Sequence, residues 1–429
     1  MSSKPKTLAT KEEANPARVP KLRFPEFRAE KPWEPTTIGA LGNFYYGKSA
    51  PKWSLSEDAP TPCVRYGELY TKFGPVITET YSRTNTDPET LRFSKGGEIL
   101  IPRVGEKPED FGKCCCYLPL KDIAIGEMIS VLETKQHPLF YTYYFRHLHK
   151  QFAKVVEGQN VKNLYYVELE PLAIHRPSIP EQQKIAECLS SADELMAAQA
   201  RKVDALKTHK KGLMQQLFPR EGETAPRLRF PEFRDAGEWG DQTVGDFGKV
   251  ITGSTPSTAK PAFYGGGIPF VSPADISDLR FVDQTKTTLT PEGFAETRPV
   301  RSGSVLFVCI GSTIGKVAQS VRDCATNQQI NAVVPSSKHS DGFVYFALSL
   351  AAERIALLAG RQAVPIINKS LFSSVRMLSP KLPEQQRIAA CLSSLDALIA
   401  AETRKLEALK IHKKGLMQQL FPSLEEGTA

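Results

Sequence analysis

Two stretches of the chain, residues 179–219 and 382–422, carry apolar residues at alternating intervals of three and four. In the first, Ile185, Leu189, Ala192, Met196, Val203, Leu206, Leu213 and Leu217 form one stripe. In the second, Ile388, Leu392, Leu395, Ile399, Leu406, Leu409, Leu416 and Leu420 do the same. A 3.5-residue period predicts a coiled-coil seam. Pro180 and Pro383 suit the first helical turn, Glu181 and Glu384 favour its positive end, and Pro219 and Pro422 stop each run. Polar residues break the seam at equivalent places, Gln199 with Glu402 and Lys210 with Lys413, and buried polar positions of this kind fix register. Gly212 and Gly415 are expected to soften the last turns. Two helices of equal length in one chain predict an antiparallel pair. Elsewhere, short β-branched and apolar runs lie between spaced Gly and Pro, which predicts short strands and turns. Residues 142–156 and 342–359 read as one helix each, placed before the last strand of each half.

The two halves are copies of each other. KLRFPEFR begins at Lys21 and RLRFPEFR at Arg227, 206 positions later. Trp33, Thr37, Gly39 and Gly42 recur at the same offset as Trp239, Thr243, Gly245 and Gly248. The helical segments repeat at an offset of 203, with about 30 of 41 positions identical. Between these anchors only a skeleton survives. GKSAP at Gly47 faces GSTP at Gly253, PCVRYGEL at Pro62 faces PFVSPADI at Pro269, and GEILIPRVG at Gly97 faces GSVLFVCIG at Gly303. The helices thus do one job twice, while the globular parts do one kind of job on two different targets.

Composition then narrows the classes. The 429 residues are 41% hydrophobic and 24% charged, an ordinary globular balance. No apolar run reaches the length of a membrane span, and the polar N-terminus lacks the apolar core of a secretory signal. Eight Cys without paired CxxC spacing argue for reduced thiols and against structural zinc, and a cytoplasmic location is the expectation. A net charge of +8 suits a polyanionic partner without requiring one. Catalytic signatures are missing. GSTIGK at Gly311–Lys316 is one residue short of a P-loop, with Val317 where Ser or Thr would meet magnesium. No GxGxxG follows a strand, no HExxH occurs, and Asn15-Pro16 is followed by Ala17 rather than continuing a base-methylating motif. His147 and His149 have no ligand-spaced partner. Cys114 to Cys116 are expected to alternate across a strand as packing, and Gly265–Gly267 to form a turn. Lys210 and Lys211, like Lys413 and Lys414, suit either DNA phosphate or a solvated helix end.

With those residues in view, the chain resembles the specificity subunits of type I restriction-modification systems. The PEQQxIAxCLS…HKKGLMQQLFP helices carry the resemblance in two copies. ITGSTPSTAKPAFYGGGIPFVSPADI, GSTIGKVAQSVRDCATNQQIN and PCVRYGELYTKFG add to it. The resemblance spans about Lys21 to Pro422. It implies a mixed α/β (α+β) protein, with two tandem-duplicated target recognition domains separated by two long antiparallel coiled-coil helices. Each domain would read one half of a split double-stranded DNA sequence. The helices would dock two modification (adenine methyltransferase) subunits, and restriction (translocase/nuclease) subunits would join them. S-adenosylmethionine, ATP and magnesium would sit on those partners, with no cofactor or metal on this chain and no catalysis by it. A two-domain DNA-binding scaffold or regulator outside a restriction complex is the alternative.

The expected layout is a disordered basic arm (1–20), a first recognition domain (21–178), a first long helix (179–219), a linker and repeat start (220–240), a second recognition domain (241–381), a second long helix (382–422) and a tail (423–429). The family's recognition domains vary too much for any base-reading residue to be carried over, so candidates come from chemistry. Arg or Lys suits guanine, Asn or Gln suits adenine, and hydroxyls suit phosphate, on loops between strands. In the first domain these are Lys48, Ser49, Lys52, Arg65, Tyr66, Arg103 and Lys107. In the second they are Ser254, Thr255, Ser257, Lys260, Ser272, Thr313, Lys316, Asn327 and Gln328, with Gln329 beside them. The first-domain match to that last cluster is Gly126-Glu127-Met128, which lacks the amides.

Overall fold

A computed structural model describes residues 18–48, 51–360 and 364–422. Ser49, most of the expected arm and the whole expected tail lie outside these residues. The chain divides into two compact units. Unit 1 comprises residues 1–198 and 406–429, and unit 2 comprises 199–405. Each unit is therefore one globular domain, the start of the helix that follows it, and the end of the helix that follows the other domain.

In unit 1 a four-stranded antiparallel sheet has the order Gly42–Tyr46, Ile129–Thr134, Glu98–Pro102, Cys116–Leu118. The strand Glu98–Pro102 is buried along its whole length. Ile99 and Ile101 point into a core shared with helices, while Leu100 points into a second core between sheets. That two-sided burial is why ILIP, after Glu98, is a continuous apolar run rather than an alternating one. A second four-stranded sheet, Ser82–Thr84, Thr61–Val64, Lys121–Ile125, Phe93–Lys95, has a parallel pair at its centre. Unit 2 repeats the plan. Its five-stranded sheet runs Gly248–Thr252, Ile330–Pro335, Val305–Val308, Val317–Ser320, Phe281–Val282. Its three-stranded sheet is Thr287–Leu289, Tyr264–Val271, Ala325–Thr326. In both units a short antiparallel pair joins the domain's first strand to the strand before the long helix: Glu34–Thr37 with Ala173–Arg176, and Gly240–Thr243 with Arg376–Ser379.

The long helices are Ile179–Leu217 and Leu382–Leu420, unbroken through Gly212 and Gly415. Their N-terminal seam positions serve their own domains. Ile185 and Leu189 are buried with Phe140 and Tyr144, and Ile388 and Leu392 with Phe343 and Phe346. Of the middle positions, Val203 is buried and Met196, Leu206, Ile399, Leu406 and Leu409 are half-buried. The helix halves run antiparallel in each unit. In unit 1 Lys413 pairs with Asp193, and in unit 2 Lys210 pairs with Asp396. These two lysines are half-buried partners of carboxylates, which corrects the reading of them as solvated or phosphate-facing. Near the middle of the helices, Gln199 donates to the Glu402 carboxylate at 2.7 Å, and Lys202 and Lys405 approach it at 2.9 and 3.2 Å. These contacts hold the Glu402 carboxyl at about 2.

The end of each helix closes a core. Phe421 is fully buried in unit 1, stacked on Tyr144 at 5.0 Å and edge-on to Trp33. In unit 2 Phe218 stacks on Phe343 at 5.3 Å and meets Trp239 edge-on. The repeated LRFPEF motif clamps the start of each helix. Arg23 holds Glu181 through two bonds of 2.8 and 2.7 Å, and Arg229 holds Glu384 in the same way. Glu181 and Glu384 thus do more than favour a helix N-terminus.

Other expectations change in detail. Residues 18–20 are not part of a free arm, because the Trp33 amide donates to the Arg18 carbonyl and Pro20 is buried. Within residues 220–240, the expected linker and repeat start, Arg229 pairs with Glu384 and Trp239 lies in the unit 2 core. The predicted helix at 142–156 is two helices, Pro138–His147 and His149–Lys154, broken at Leu148. Gly265–Gly267 lie within the strand Tyr264–Val271, whose register shifts between Tyr264 and Ile268, so three side-chain-free residues make a bulge instead of a turn. Cys114 caps the helix Pro108–Lys113, and the strand begins only at Cys116.

Candidate nucleic-acid interface

Four backbone segments converge at one edge of each domain, through the same hydrogen bonds in both copies. In unit 1 the Gly47 amide donates to Ile129, Lys48 to Ile125, Gly126 to Val64 and Arg103 to Met128, at 2.9–3.1 Å. In unit 2 Gly253 donates to Ile330, Ser254 to Thr326, Asn327 to Val271 and Cys309 to Gln329, at 2.8–3.1 Å. The glycine at the head of each loop is required by contact. A Cβ on Gly47 would lie 2.2 Å from the Gly126 carbonyl oxygen, and one on Gly253 would lie 2.2 Å from that of Asn327. The frame is therefore shared while the side chains it presents differ, so GKSAP and GSTP survive as a skeleton in an otherwise diverged region.

The frame places the sequence candidates unequally. Lys48, Lys52 and Lys107 are exposed, and Tyr66 is 37% exposed. Arg65 follows Val64 at the convergence, and its backbone amide is taken by the Glu68 carboxylate at 2.8 Å. Arg103 is committed to the protein. Its guanidinium lies 4.8 Å over the Tyr46 ring and 5.7 Å from Tyr165, and it contacts Met128 sulfur at 3.4 Å. Its Nε is buried without a hydrogen-bond partner among the described residues. In unit 2, Ser257 and Lys260 are exposed on the loop that begins at Gly253, with Lys260 lying 5.0 Å over Phe263. Thr255 donates to Gln328 at 2.7 Å, which ties the two candidate loops together. Ser272 donates to Asp275, and Asn327 and Gln329 bond each other, so these polar groups are already partnered locally. Lys316 is exposed but its ammonium donates to the Ile276 carbonyl at 2.9 Å, and Thr313 is half-buried on the same loop.

Two residues that the sequence reading passed over belong to the frame. Arg92 donates to the Tyr46 carbonyl at 2.7 Å, and Arg298 donates to the Thr252 carbonyl at 3.1 Å. They stand 206 positions apart, as do the residues they hold, each just before the loop glycine. That shared offset was the signal available in the sequence. Arg92 also lies 4.8 Å over Tyr45. Together with Lys48, Lys52 and Lys107 in unit 1, and Lys260 and Lys316 in unit 2, they make each edge cationic, as contact with a phosphate backbone requires. Among the described residues no group of three or more His, Cys, Asp or Glu could hold a metal ion, and no helix is long and apolar enough to cross a membrane.

Comparison with known proteins agrees with this duplicated layout. The family model for the type I restriction modification DNA specificity domain matches twice, over residues 30–208 and 236–410. The specificity subunit of the type I restriction enzyme HindI of Haemophilus influenzae is 31% identical over 147 residues, covering 33% of this chain and 32% of that protein. The EcoR124I/EcoR124II specificity subunit of Escherichia coli is 32% identical over 178 residues, covering 39% and 43%. The matches thus span about a third and two fifths of the lengths of these two relatives. In fold, the type I restriction-modification S subunit of M. genitalium superposes with a TM-score of 0.61 at 16% identity, over 95% of this chain and all of that one. With two family matches that leave only the ends and the junction uncovered, the chain belongs to the type I restriction-modification DNA specificity family.

Proposed function

We propose that this chain is the DNA-reading subunit of a type I restriction-modification complex, and that each unit reads one half of a two-part double-stranded target. It is a recognition component and not the catalytic one. The observation that carries the proposal is the repeated convergence of loops: one hydrogen-bonded frame, present twice, displaying different side chains. A frame held constant under varied side chains suits a reader whose targets differ, because base contacts specify while backbone contacts position. Lys48, Lys52, Tyr66, Lys107, Thr255, Ser257, Lys260 and Gln328 are the exposed candidates for contact, with Arg65, Ser254 and Thr313 beside them. Arg103, Ser272, Asn327 and Lys316 act mainly by shaping the edge. The long helices would dock the modification subunits, with S-adenosylmethionine, ATP and magnesium on the partner chains.

The test is exchange of one domain. Replacing residues 241–381 with the equivalent segment of a relative is expected to change one half of the methylated motif and keep the other, read by sequencing modified adenines in cells that carry the system. A change in both halves would show that the units do not read separately. The isolated chain, supplied with S-adenosylmethionine, is expected to methylate nothing.

A further inference from the structure

The chain has three tryptophans, and they divide sharply. Trp33 and Trp239 occupy equivalent places and are 1% and 3% exposed. Trp53 is 85% exposed. Trp is highly buried on average, so an indole this open is unusual. Among the described residues no aromatic ring or cation stacks on it.

The backbone beneath Trp53 is firmly held. It sits on the short helical turn Lys52–Ser54. Ser54 is 3% exposed, and its hydroxyl bonds the Pro51 carbonyl and the Thr84 hydroxyl, both at 2.7 Å. The Asn85 amide donates to the Ser54 carbonyl at 2.8 Å. Leu55 bridges to Thr84 and packs on the cluster of Cys63, Leu91 and Ala124. At the other end of the loop the Lys48 amide is bound to Ile125 at 2.9 Å, inside the frame described above. The indole is thus presented outward from an anchored turn. Its near neighbours in the chain, Lys48 and Lys52, are exposed cations. In unit 2 the exposed stretch after Gly253, Ser257 to Lys260, holds no aromatic residue and Trp239 is buried, so an exposed tryptophan belongs to unit 1 alone.

We infer that Trp53 is a specificity-determining wedge, its indole stacking into a base step of the half-site held by unit 1 while Lys48 and Lys52 lie on the flanking phosphates. This rests on the DNA-reading role proposed above. Apolar wedges of this kind part a base step and kink the duplex, and the cost is lowest at flexible pyrimidine–purine steps. The unit 1 half-site therefore carries such a step at a fixed place, and the unit 2 half-site has no matching requirement.

The test uses the full-length chain and duplexes that it selects from a random-sequence pool. Binding is read by anisotropy of labelled DNA, and indole exposure by acrylamide quenching, which reports Trp53 because Trp33 and Trp239 are buried. Expected are loss of acrylamide access to Trp53 in the complex and a fall in affinity for Trp53→Ala of roughly 5- to 150-fold, the span carried by one stacked base. Trp53→Phe keeps most of the affinity, and both variants melt with the wild type because the side chain is already in water. Binding with Trp53 as open as in the free chain, or an alanine variant within about twofold of wild type that selects the same steps, overturns the inference and leaves DNA reading intact. Failure of the wild-type chain to bind any duplex overturns both. Shielding of Trp53 by modification subunits without DNA overturns the inference in favour of a protein partner.

Discussion

Replacing Arg23 by alanine tests how the long helix is fixed to unit 1. The Arg23 and Glu181 side chains are 6% and 1% exposed, joined by two charge-assisted hydrogen bonds, with two further bonds from the guanidinium to the Glu30 and Lys31 carbonyls at 2.9 and 3.1 Å. Removing the guanidinium leaves a buried carboxylate unpaired and frees both carbonyls. Breaking a buried pair from one side costs about 3–5 kcal/mol, much of it the penalty on the stranded charge. For a unit of this size that corresponds to a fall in melting temperature of roughly 6–20 °C. Removing both charges is a different perturbation. Arg23→Met with Glu181→Leu is expected to lie within about 1 kcal/mol of wild type, because apolar replacement of a whole buried pair is often neutral. Unit 2 supplies an internal control through Arg229 and Glu384, which make the same clamp. Hydrogen exchange resolved by peptide is the assay. Protection should fall in residues 21–198 and 406–420 for Arg23→Ala, and within 199–405 for Arg229→Ala. A shift below about 1 kcal/mol in the single variant, or a double variant as unstable as the single, would refute the reasoning.

Three more expectations follow from the same packing. Phe421→Ala empties the fully buried socket formed with Trp33, Phe140 and Tyr144, and is expected to destabilise unit 1 by about 3–5 kcal/mol in denaturant titration. His147 packs 5.3 Å from Phe421, and burial holds its ring at about 4, below the ordinary 6.5. A depressed histidine binds its proton more readily in the unfolded chain, so its contribution is whole above pH 6.5 and is lost as pH falls to about 4. The change is on the order of 3 kcal/mol, and His147→Leu, which copies Leu350 of unit 2, should abolish that part of the acid sensitivity in pH-dependent melting. Inserting seven residues in both helices, after Val203 and after Leu406, keeps the seam in phase and adds about 10.5 Å to each. The gap in the methylated motif should lengthen by about three base pairs, whereas an active variant with the original gap would show that helix length does not set it.

Much of this architecture could be read from residue order. The duplication, the two helices and their polar breaks at Gln199 and Glu402 are periodic signals, and period survives translation into structure. What escaped was pairing across long separations. Nothing local in KLRFPEFR says that Arg23 reaches Glu181, 158 positions away. Nothing in the seam distinguishes Ile185, which packs on its own domain, from Leu416, which packs on the other one. The glycine run at 265–267 reads as a turn and folds as a bulge, because turns and bulges both favour residues without side chains. The candidate contacts show the same limit. Residue type selected Arg103 and Lys316 correctly as cations, but only geometry shows that their charge is engaged by Tyr46 and by the Ile276 carbonyl. Arg92 and Arg298 were within reach, since their matching offsets needed only to be followed past the obvious motifs.

The placement of Phe421 also has a consequence for how the protein is made. The globular domain of unit 1 is translated first, yet its aromatic socket is filled by Phe421, just past the second long helix. Phe218 leaves the ribosome 203 residues earlier and belongs to the other unit. At about 5–20 residues per second, the 277 residues between Tyr144 and Phe421 keep the socket waiting roughly 14–55 s for its partner. During that interval the nascent first domain offers an open ring of aromatic side chains, and a Phe-Pro end from any neighbouring copy would fit it as well as its own. Polysomes carrying this message therefore hold unfilled unit 1 sockets beside Phe218-Pro219 ends that are made before the domain that receives them.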